Sequence, residues 1–336
     1  MMTLSKIMFL DIVALGTLMT VSSMSWIIAW IGLEVNLMTV MPLLKNYNNK
    51  YTSESTLKYF IVQTLASLMF LFAVLFFVCA SNYSIELTIA SSLLLNTTLL
   101  LKMGAAPFHF WMPEVLSGLS WELIFIVITW QKIAPMIILV HTTYTPTFLS
   151  FIIILSSLFS GLQGINQTCL RKIMTYSSIN HVSWMISAIL NSTTTWLYYF
   201  FTYCVINFNI ILILLKYNIY YMSQLSKLFS SNKKIKFFFM LNFLSLGGLP
   251  PFLGFFPKWM TVSSMINNNY YILIILLIIF TLISLYIYTR ITFSSFSINS
   301  EESLIKIFNK INYFHFIINL FSLIGLTVCN IVVNYY

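Results

Sequence analysis

Three lysines lie deep within long apolar stretches of this chain: Lys102, Lys132 and Lys258. Placing an ammonium group at the centre of a bilayer costs at least about 2.5–3.5 kcal/mol, so such residues are rare in membrane helices. Those that do occur usually mark an ion or proton pathway. Burial disfavours the charged form of a lysine, which allows the amine to exchange a proton near neutral pH. A series of such lysines, joined by water and by His or Ser side chains, could act as a proton relay.

A single carboxylate, Glu34, lies within the second apolar run, and the nearest formal charges along the chain are Asp11 and Lys45. An isolated buried carboxylate is driven towards its neutral form, whereas one that faces a lysine can stay charged, and each group then influences the proton affinity of the other. The residue types therefore favour a functional carboxylate at Glu34. The structural alternative is a charge pair that only packs two helices together.

The residues around each lysine indicate whether its ammonium group can reach the membrane surface. Lys102 ends an apolar run and is followed by Gly104 and Pro107, which favour an interrupted helix that lines a protein or water cavity. The alternative is snorkelling, in which the long side chain extends to the polar surface. Lys132 lies in the middle of the apolar run 123–139. Snorkelling is therefore a poorer explanation for Lys132 than for Lys102.

The third lysine, Lys258, ends a segment rich in helix-breaking residues. Residues 247–258 contain three glycines and three prolines, and proline removes a main-chain donor and breaks a helix. The ninth apolar run is therefore predicted to be a discontinuous helix, which in transporters places ions beside unwound main chain near the membrane midplane. A simple loop is the alternative, but the flanks 237–246 and 259–266 are each too short to span a bilayer alone.

The composition is that of a polytopic membrane protein. Of 336 residues, 59% are hydrophobic and 7% are charged, and the mean hydropathy is +0.90, whereas soluble domains carry about a quarter charged residues. Helices of about 20 residues cross a bilayer core of roughly 30 Å. We predict eleven such helices, over residues 7–25, 26–44, 56–80, 85–103, 119–141, 147–166, 174–192, 195–217, 237–264, 268–290 and 312–334. The predicted fold is all-α, a transmembrane helical bundle in one membrane domain over 1–336, because the apolar runs lack the alternation of a barrel.

The sequence contains no motif for a resident cofactor. The four cysteines are widely separated and form no CxxC pair, so iron–sulfur, zinc and disulfide frameworks are not expected. Gly-x-Gly-x-x-Gly and Walker-type loops do not occur in it either. The first apolar run follows a single charge, Lys6, and has no small-residue cleavage site, which is typical of a retained helix. We expect no cofactor or metal in this chain, so any redox chemistry would occur in another subunit.

The remaining basic residues lie on alternate connections between the predicted helices. They occupy the N-terminus and the connections after the second, sixth, eighth and tenth helices, whereas the odd-numbered connections carry none. The positive-inside rule places the N-terminus on the negative side of the membrane, and eleven helices then place the C-terminus on the opposite side. The net charge of +9 is therefore a topological signal. It does not predict a nucleic acid as a partner, because no basic face extends beyond the loops.

Five ordered motifs resemble the NADH-ubiquinone oxidoreductase chain 2 family, the antiporter-like NADH dehydrogenase subunit 2 of mitochondrial complex I. The motifs are residues 30–36 (WIGLEVN), 101–114 (LKMGAAPFHFWMPE), 130–135 (WQKIAP), 170–181 (LRKIMTYSSINH) and 247–259 (GGLPPFLGFFPKW). Their order and spacing match over essentially the whole chain. Heavy use of Phe and Tyr with few Gly and Pro suits an insect-like mitochondrial version. The wider antiporter-like family has fourteen helices, and animal forms of this chain share the shortening to eleven.

The resemblance implies a pair of inverted five-helix repeats, each with a discontinuous helix. It implies that Glu34 pairs with Lys102 as a gate, that Lys132 is the central proton carrier, and that Lys258 is the exit or the link to the next subunit. The expected location is the inner mitochondrial membrane, with the N-terminus in the matrix and the C-terminus in the intermembrane space.

The resemblance also implies the partners and cofactors of the complex. NADH, FMN, iron–sulfur clusters and ubiquinone are expected in other subunits, where electrons pass from NADH to ubiquinone. The expected partners are the neighbouring antiporter-like chain 4, the small chain 4L, accessory subunits, and phospholipid, cardiolipin in particular.

Two other functions compete with this interpretation. A free-standing cation/proton antiporter subunit shares these helices, although such proteins function in bacterial multisubunit operons and rarely have this composition. A non-pumping membrane scaffold would use its lysines to hold anionic lipid, which suits the basic loops but not Lys132. We therefore predict that Lys132 is buried beside water-accessible polar groups and does not face lipid.

Overall fold

The computed structural model describes residues 4–45, 49–80, 85–225 and 233–297 together with Asn319. The helices are α1 (Leu4–Val21), α2 (Trp26–Leu44), α3 (Lys50–Ala80), α4 (Ile85–Met103), α5 (Trp111–Gly118), α6 (Trp121–Ile128), α7 (Trp130–Val140), α8 (Pro146–Ile165), α9 (Leu170–Asn191), α10 (Thr193–Tyr217), α11 (Lys233–Gly247), α12 (Phe255–Asn267) and α13 (Tyr271–Ser297), with a short 3₁₀ turn at Met222–Gln224. Within these residues no strand forms, and the one bridge joins Cys169 to Tyr221. The predicted all-α class is confirmed.

Seven helices in the described ranges are long and apolar enough to cross a membrane, judged by length and composition. The helices α4 and α11 contribute shorter apolar segments, Leu87–Met103 and Lys236–Gly247. The predicted helix over residues 312–334 lies outside the described residues, apart from Asn319. The chain is therefore a multi-pass membrane protein.

The chain divides into two compact units, Met1–Leu155 and Ser156–Tyr336. In the first unit, α1 and α2 cross at two glycines. A Cβ added to Gly32 would lie 2.6 Å from Thr20 Cγ2 and 3.0 Å from the carbonyl oxygen of Gly16. Small residues allow helix main chains to approach closely in membranes, where packing rather than water drives association. These glycines fix the position of α2, the helix that carries Glu34.

Gly32→Val is expected to destabilise the first unit by about 1–3 kcal/mol, the usual cost of overpacking a close contact. The valine methyl groups would meet Thr20 and the main chain of Gly16, which cannot yield without separating α1 from α2. The measurement is the thermal denaturation midpoint of the purified protein. Ala90→Val, at an exposed position on α4, is the matched control and should leave the midpoint unchanged. Equal midpoints for both variants would contradict the close packing.

In the second unit, α9 is the central helix. Every residue from Ile173 to Ile189 is buried, although α9 is too polar to be among the apolar spans. Several of its polar groups bond within the protein: Ser183 and Ser187 donate to main-chain carbonyls one turn earlier, and Asn180 Nδ2 donates to Ser284 Oγ at 2.9 Å. A polar helix is stable at this depth because neighbouring helices replace lipid around it.

The predicted helix over residues 119–141 differs from the structure, where it is interrupted at Thr129. The amide and the hydroxyl of Thr129 both donate to the carbonyl oxygen of Phe125, at 3.0 and 2.7 Å, and the regular ladder ends there. Pro135 also supplies no amide hydrogen to the preceding turn. Lys132 therefore lies in the first turn of the separate helix α7 and not in the middle of a continuous one.

Candidate functional site

The chain breaks between α4 and α5 directly after Lys102. Gly104 has a φ of +73°, and the amides of Gly104 and Ala105 donate to the carbonyl oxygens of Leu101 and Leu100 at 3.2 and 3.0 Å. This pattern is a Schellman motif, in which a glycine without Cβ strain reverses the chain and satisfies the last carbonyls of a helix. The predicted interruption after Lys102 is therefore confirmed.

Side chains from neighbouring helices complete the end of α4. Trp111 Nε1 donates to the carbonyl oxygen of Leu101 at 3.1 Å, and Gln63 Nε2 donates to that of Lys102 at 3.3 Å. The last carbonyls of a helix have no partner within it, so these bonds let the helix end inside the protein. Lys102 thereby projects from a fixed, buried helix terminus.

The break between α11 and α12 repeats this geometry. Gly248 has a φ of +77°, and the amides of Gly248 and Leu249 donate to the carbonyl oxygens of Ser245 and Leu244 at 2.9 and 3.3 Å. The two breaks also share five residues at equal spacing: a glycine, a proline, a phenylalanine, an aromatic residue and a second proline. In the first break these are Gly104, Pro107, Phe108, Trp111 and Pro113, and in the second they are Gly248, Pro251, Phe252, Phe255 and Pro257. The resemblance implied two repeats, each with a discontinuous helix, but this residue-by-residue correspondence was missed, although the equal spacing was a visible signal.

The repeat places opposite charges at one register position. The residue after the last proline is Glu114 in the first unit and Lys258 in the second. Glu114 is exposed and accepts from Lys58 Nζ at 3.0 Å, and Lys58 also pairs with Glu54 at 2.8 Å. Such exposed pairs contribute little to stability. Lys258, by contrast, is buried, with 9% of its surface exposed.

Lys258 is bound to the end of the preceding half-helix. Its Nζ donates to the carbonyl oxygen of Gly247 at 2.7 Å and lies 5.6 Å from the centroid of the Trp184 ring. The carbonyl end of a helix carries partial negative charge, and an indole face attracts a cation. A Cβ on Gly248 would lie 2.7 Å from Lys258 Cδ, so the missing side chain leaves the space that the lysine occupies. The predicted discontinuous helix at Lys258 is confirmed.

In the first unit, Lys102 and Lys132 line one buried cavity. Its polar lining consists of Asn36, Tyr59, Gln63, Lys102, Gln131 and Lys132, and apolar residues complete the wall. The cavity offers about 20 Å³ to the centres of water-sized molecules, which is enough for one ordered water. Lys132 is only 1% exposed and Lys102 only 7%. This burial contradicts snorkelling for both lysines, and it confirms that Lys132 lies beside polar groups and not against lipid.

Two amide side chains close the cavity beside Lys132. Asn36 Nδ2 donates to Gln131 Oε1 at 3.1 Å, and Gln131 Nε2 donates to Asn36 Oδ1 at 3.2 Å. The hydroxyl of Tyr59 also donates to Gln131 Oε1, at 3.5 Å. Sequence reasoning did not single out these residues, although polar side chains next to Glu34 and Lys132 in apolar helices were the available signal.

Glu34 is half-buried on α2 and does not line the cavity. Its carboxylate lies near enough to interact electrostatically with Lys102, although burial affects that lysine more strongly. Within the described residues, however, the two side chains form no ion pair within 4.0 Å, since the pairs there both involve Lys58. The structure therefore brings Glu34 into electrostatic range of Lys102 without direct contact.

The histidines occupy varied surroundings. His181 is buried on α9, and its Nδ1 lies 2.8 Å from the hydroxyl of Tyr199, while its ring packs 5.0 Å from that of Tyr203. His109 is buried in the first break and stacks on Phe110. In the part of the chain that is described, no three His, Cys, Asp or Glu side chains come together as metal ligands.

Two discontinuous helices and buried lysines at or after their breaks define an antiporter-like membrane protein. Residues 23–284 match the model of the NADH:quinone oxidoreductase/Mrp antiporter transmembrane family. The chain is 41% identical to NADH-ubiquinone oxidoreductase chain 2 of Anopheles gambiae, over 99% of each chain. It is 39% identical to the protein of the same name from Locusta migratoria, over 89% of this chain and 87% of that one. The chain belongs to the NADH-ubiquinone oxidoreductase chain 2 family.

A solved structure shares the fold. A chain of respiratory complex I from Thermus thermophilus with bound aureothin superimposes with a TM-score of 0.85 at 22% identity, and the match covers 96% of this chain and 79% of that one. At this identity the likeness concerns the fold alone. It agrees with the antiporter-like helical architecture predicted from the sequence.

Proposed function

We propose that this chain is a core membrane-arm subunit of respiratory complex I that carries protons across the inner mitochondrial membrane. Glu34, Lys102, Lys132 and Lys258 form its proton relay, and the whole chain is one antiporter-like membrane domain. The observation that carries the proposal is the burial of Lys132 and Lys102 on one polar cavity. Ionisable residues are costly at this depth and generally serve ion or proton movement.

The first unit supports a competition between two lysines for a proton. Two ammonium groups on one small cavity repel each other, so protonation of Lys102 disfavours protonation of Lys132. The charge of Glu34 acts on Lys102 and offsets part of that repulsion. A displacement of α2 would change this compensation and move the preferred site of the proton between the two lysines. Glu34 is then the gate and Lys132 the central carrier.

In the second unit, Lys258 has a different kind of partner. Its ammonium group is held by the carbonyl oxygen of Gly247 and the ring of Trp184, which are neutral groups. These contacts favour the protonated lysine but add no opposing charge, so the proton can leave when a stronger acceptor is offered. We assign Lys258 to the exit, or to the link with the next subunit.

The charge distribution and the family support a location and a set of partners. The N-terminus lies in the matrix and the C-terminus in the intermembrane space, following the basic connections. The neighbours are the antiporter-like chain 4, the small chain 4L and accessory subunits, with cardiolipin at the basic loops. NADH, FMN, iron–sulfur clusters and ubiquinone bind in other subunits. Each proton moved against the membrane potential requires about 2.3 kcal/mol per 100 mV, which electron transfer supplies.

Purification of the chain from native mitochondria tests this function. We expect it to elute with NADH:ubiquinone reductase activity, and vesicles containing the assembly should take up protons when NADH is added. The control is an imposed Na⁺ gradient without NADH, which should move no protons. Proton exchange driven by Na⁺ in a fraction without reductase activity would instead identify a free-standing antiporter. Elution with lipid alone, and no proton movement under either condition, would support the scaffold.

A further inference from the structure

We propose that Asn36 and Gln131 are positioning residues that hold Lys132 in place relative to α2, the helix that carries Glu34. The inference rests on the proposed proton relay and adds to it the connection between its gate and its central carrier. Asn36 follows Glu34 by two residues on α2, and Gln131 directly precedes Lys132 on α7. Their side chains hold each other through two hydrogen bonds at 3.1 and 3.2 Å.

The first turn of α7 is not fixed by regular main-chain hydrogen bonds to α6. The helix is interrupted at Thr129, so the main-chain ladder of α6 does not continue into the turn that carries Lys132. The amide of Lys132 donates to the carbonyl oxygen of Thr129 at 3.2 Å, a contact within the turn itself. Pro135 provides no amide hydrogen to the carbonyl of Gln131. The side chain of Gln131 therefore fixes the turn to another helix where the main chain does not.

A reciprocal amide pair is suited to positioning and not to proton transfer. Each amide presents a carbonyl acceptor and an NH₂ donor, and it carries no proton that titrates in the physiological range. The donor of each residue meets the acceptor of the other, which fixes both amide orientations. Because the pair stays neutral, it keeps its geometry whichever lysine on the cavity is protonated. A displacement of α2 at Glu34 is then transmitted to Lys132.

Loss of the Asn36–Gln131 pair would change the cavity that holds both lysines. Asn36 is 3% exposed, and both residues line the cavity shared by Lys102 and Lys132. Replacing Gln131 by leucine leaves the buried amide of Asn36 without its partner, which is more harmful than replacing both residues, whereas replacing Asn36 leaves Gln131 with the hydroxyl of Tyr59. Single and double replacements therefore separate a loss of stability from a loss of coupling.

The test measures the initial rate of NADH-driven proton uptake by complexes reconstituted in vesicles, normalised to complex content. We expect Asn36→Leu and Gln131→Leu each to lower NADH-driven proton uptake by about tenfold, the factor that corresponds to roughly 1.4 kcal/mol. The double Asn36→Leu and Gln131→Leu variant should recover complex content but not proton uptake, because apolar contacts do not fix a register. Exchange of the residues, Asn36→Gln with Gln131→Asn, should restore much of the uptake.

Asn96→Leu is the matched control. Asn96 is a buried amide of the same unit whose Nδ2 bonds to Thr142 and Thr145 at 3.0 Å, away from the cavity. It should lower complex content without changing the rate of proton uptake per complex. Normal proton uptake per complex in Asn36→Leu, or an equal fall in Asn96→Leu, would overturn the inference. Lys132→Met separates this outcome from a failure of the relay: if that variant also pumps normally, the proposed function itself is wrong.

Discussion

Lys132→Met is expected to reduce NADH-driven proton uptake by about a hundredfold, the low end of what a positioned proton-transfer group contributes. Lys132 is 1% exposed and lies on the polar cavity with Lys102, and a methionine there leaves the relay without its central proton carrier. Electron transfer should slow as well, since a coupled machine cannot turn over without moving protons. The measurement is proton uptake by reconstituted vesicles, normalised to complex content so that failed assembly is not mistaken for failed pumping.

Lys132→Arg should not restore proton uptake. A guanidinium group keeps the charge but stays protonated at any physiological pH, so it cannot pass a proton on. Lys6→Met, which removes an exposed lysine on α1, is the control for loss of a positive charge and should pump normally. Under the scaffold alternative, arginine would hold anionic lipid as well as lysine does. Full activity of the arginine variant would therefore remove the proton-carrier role from Lys132.

Gly248→Ala is expected to lower proton uptake strongly, because the new methyl group would occupy the space of the Lys258 side chain. Its Cβ would lie 2.7 Å from Lys258 Cδ and 2.9 Å from Nζ, so the ammonium group must leave the carbonyl oxygen of Gly247. A φ of +77° adds a main-chain cost of about 1–2 kcal/mol for any residue with a Cβ. The measurements are proton uptake per complex and the amount of assembled complex.

Gly104→Ala is the matched control for this second substitution. Gly104 has nearly the same φ, +73°, and belongs to the same type of Schellman motif, so a Cβ costs the main chain about as much conformational free energy there. Its Cβ would instead lie 3.1 Å from the sulfur of Met112, a flexible side chain that can move aside. Both variants should assemble less well, but Gly248→Ala should pump less per complex than Gly104→Ala. Equal pumping by the two variants would show that the position of Lys258 does not matter.

Local sequence was sufficient for most of the described helices and for two of their interruptions, but none of the predicted spans covered α5 (Trp111–Gly118). Continuous apolar runs can only be helices across a bilayer, because every main-chain group must bond within its own segment. The breaks after Lys102 and before Lys258 were predictable because glycine and proline change the main chain at their own positions. The break at Thr129 was not, since neither glycine nor proline stands beside Thr129 and the nearest one, Pro135, lies in the next turns of the chain.

The sequence by itself determined the residue types that could do chemistry: ionisable side chains in an apolar chain have few roles other than moving charge. Only the tertiary structure decided which of them meet. It placed Lys102 and Lys132 on one cavity, left Glu34 without an ion pair to Lys102, and joined Asn36 to Gln131 across 95 residues of sequence. Helix formation depends on neighbours along the chain. Contacts between helices depend instead on small residues that allow close approach, such as Gly32 against Thr20. They also depend on which buried polar groups of different helices come close enough to form hydrogen bonds.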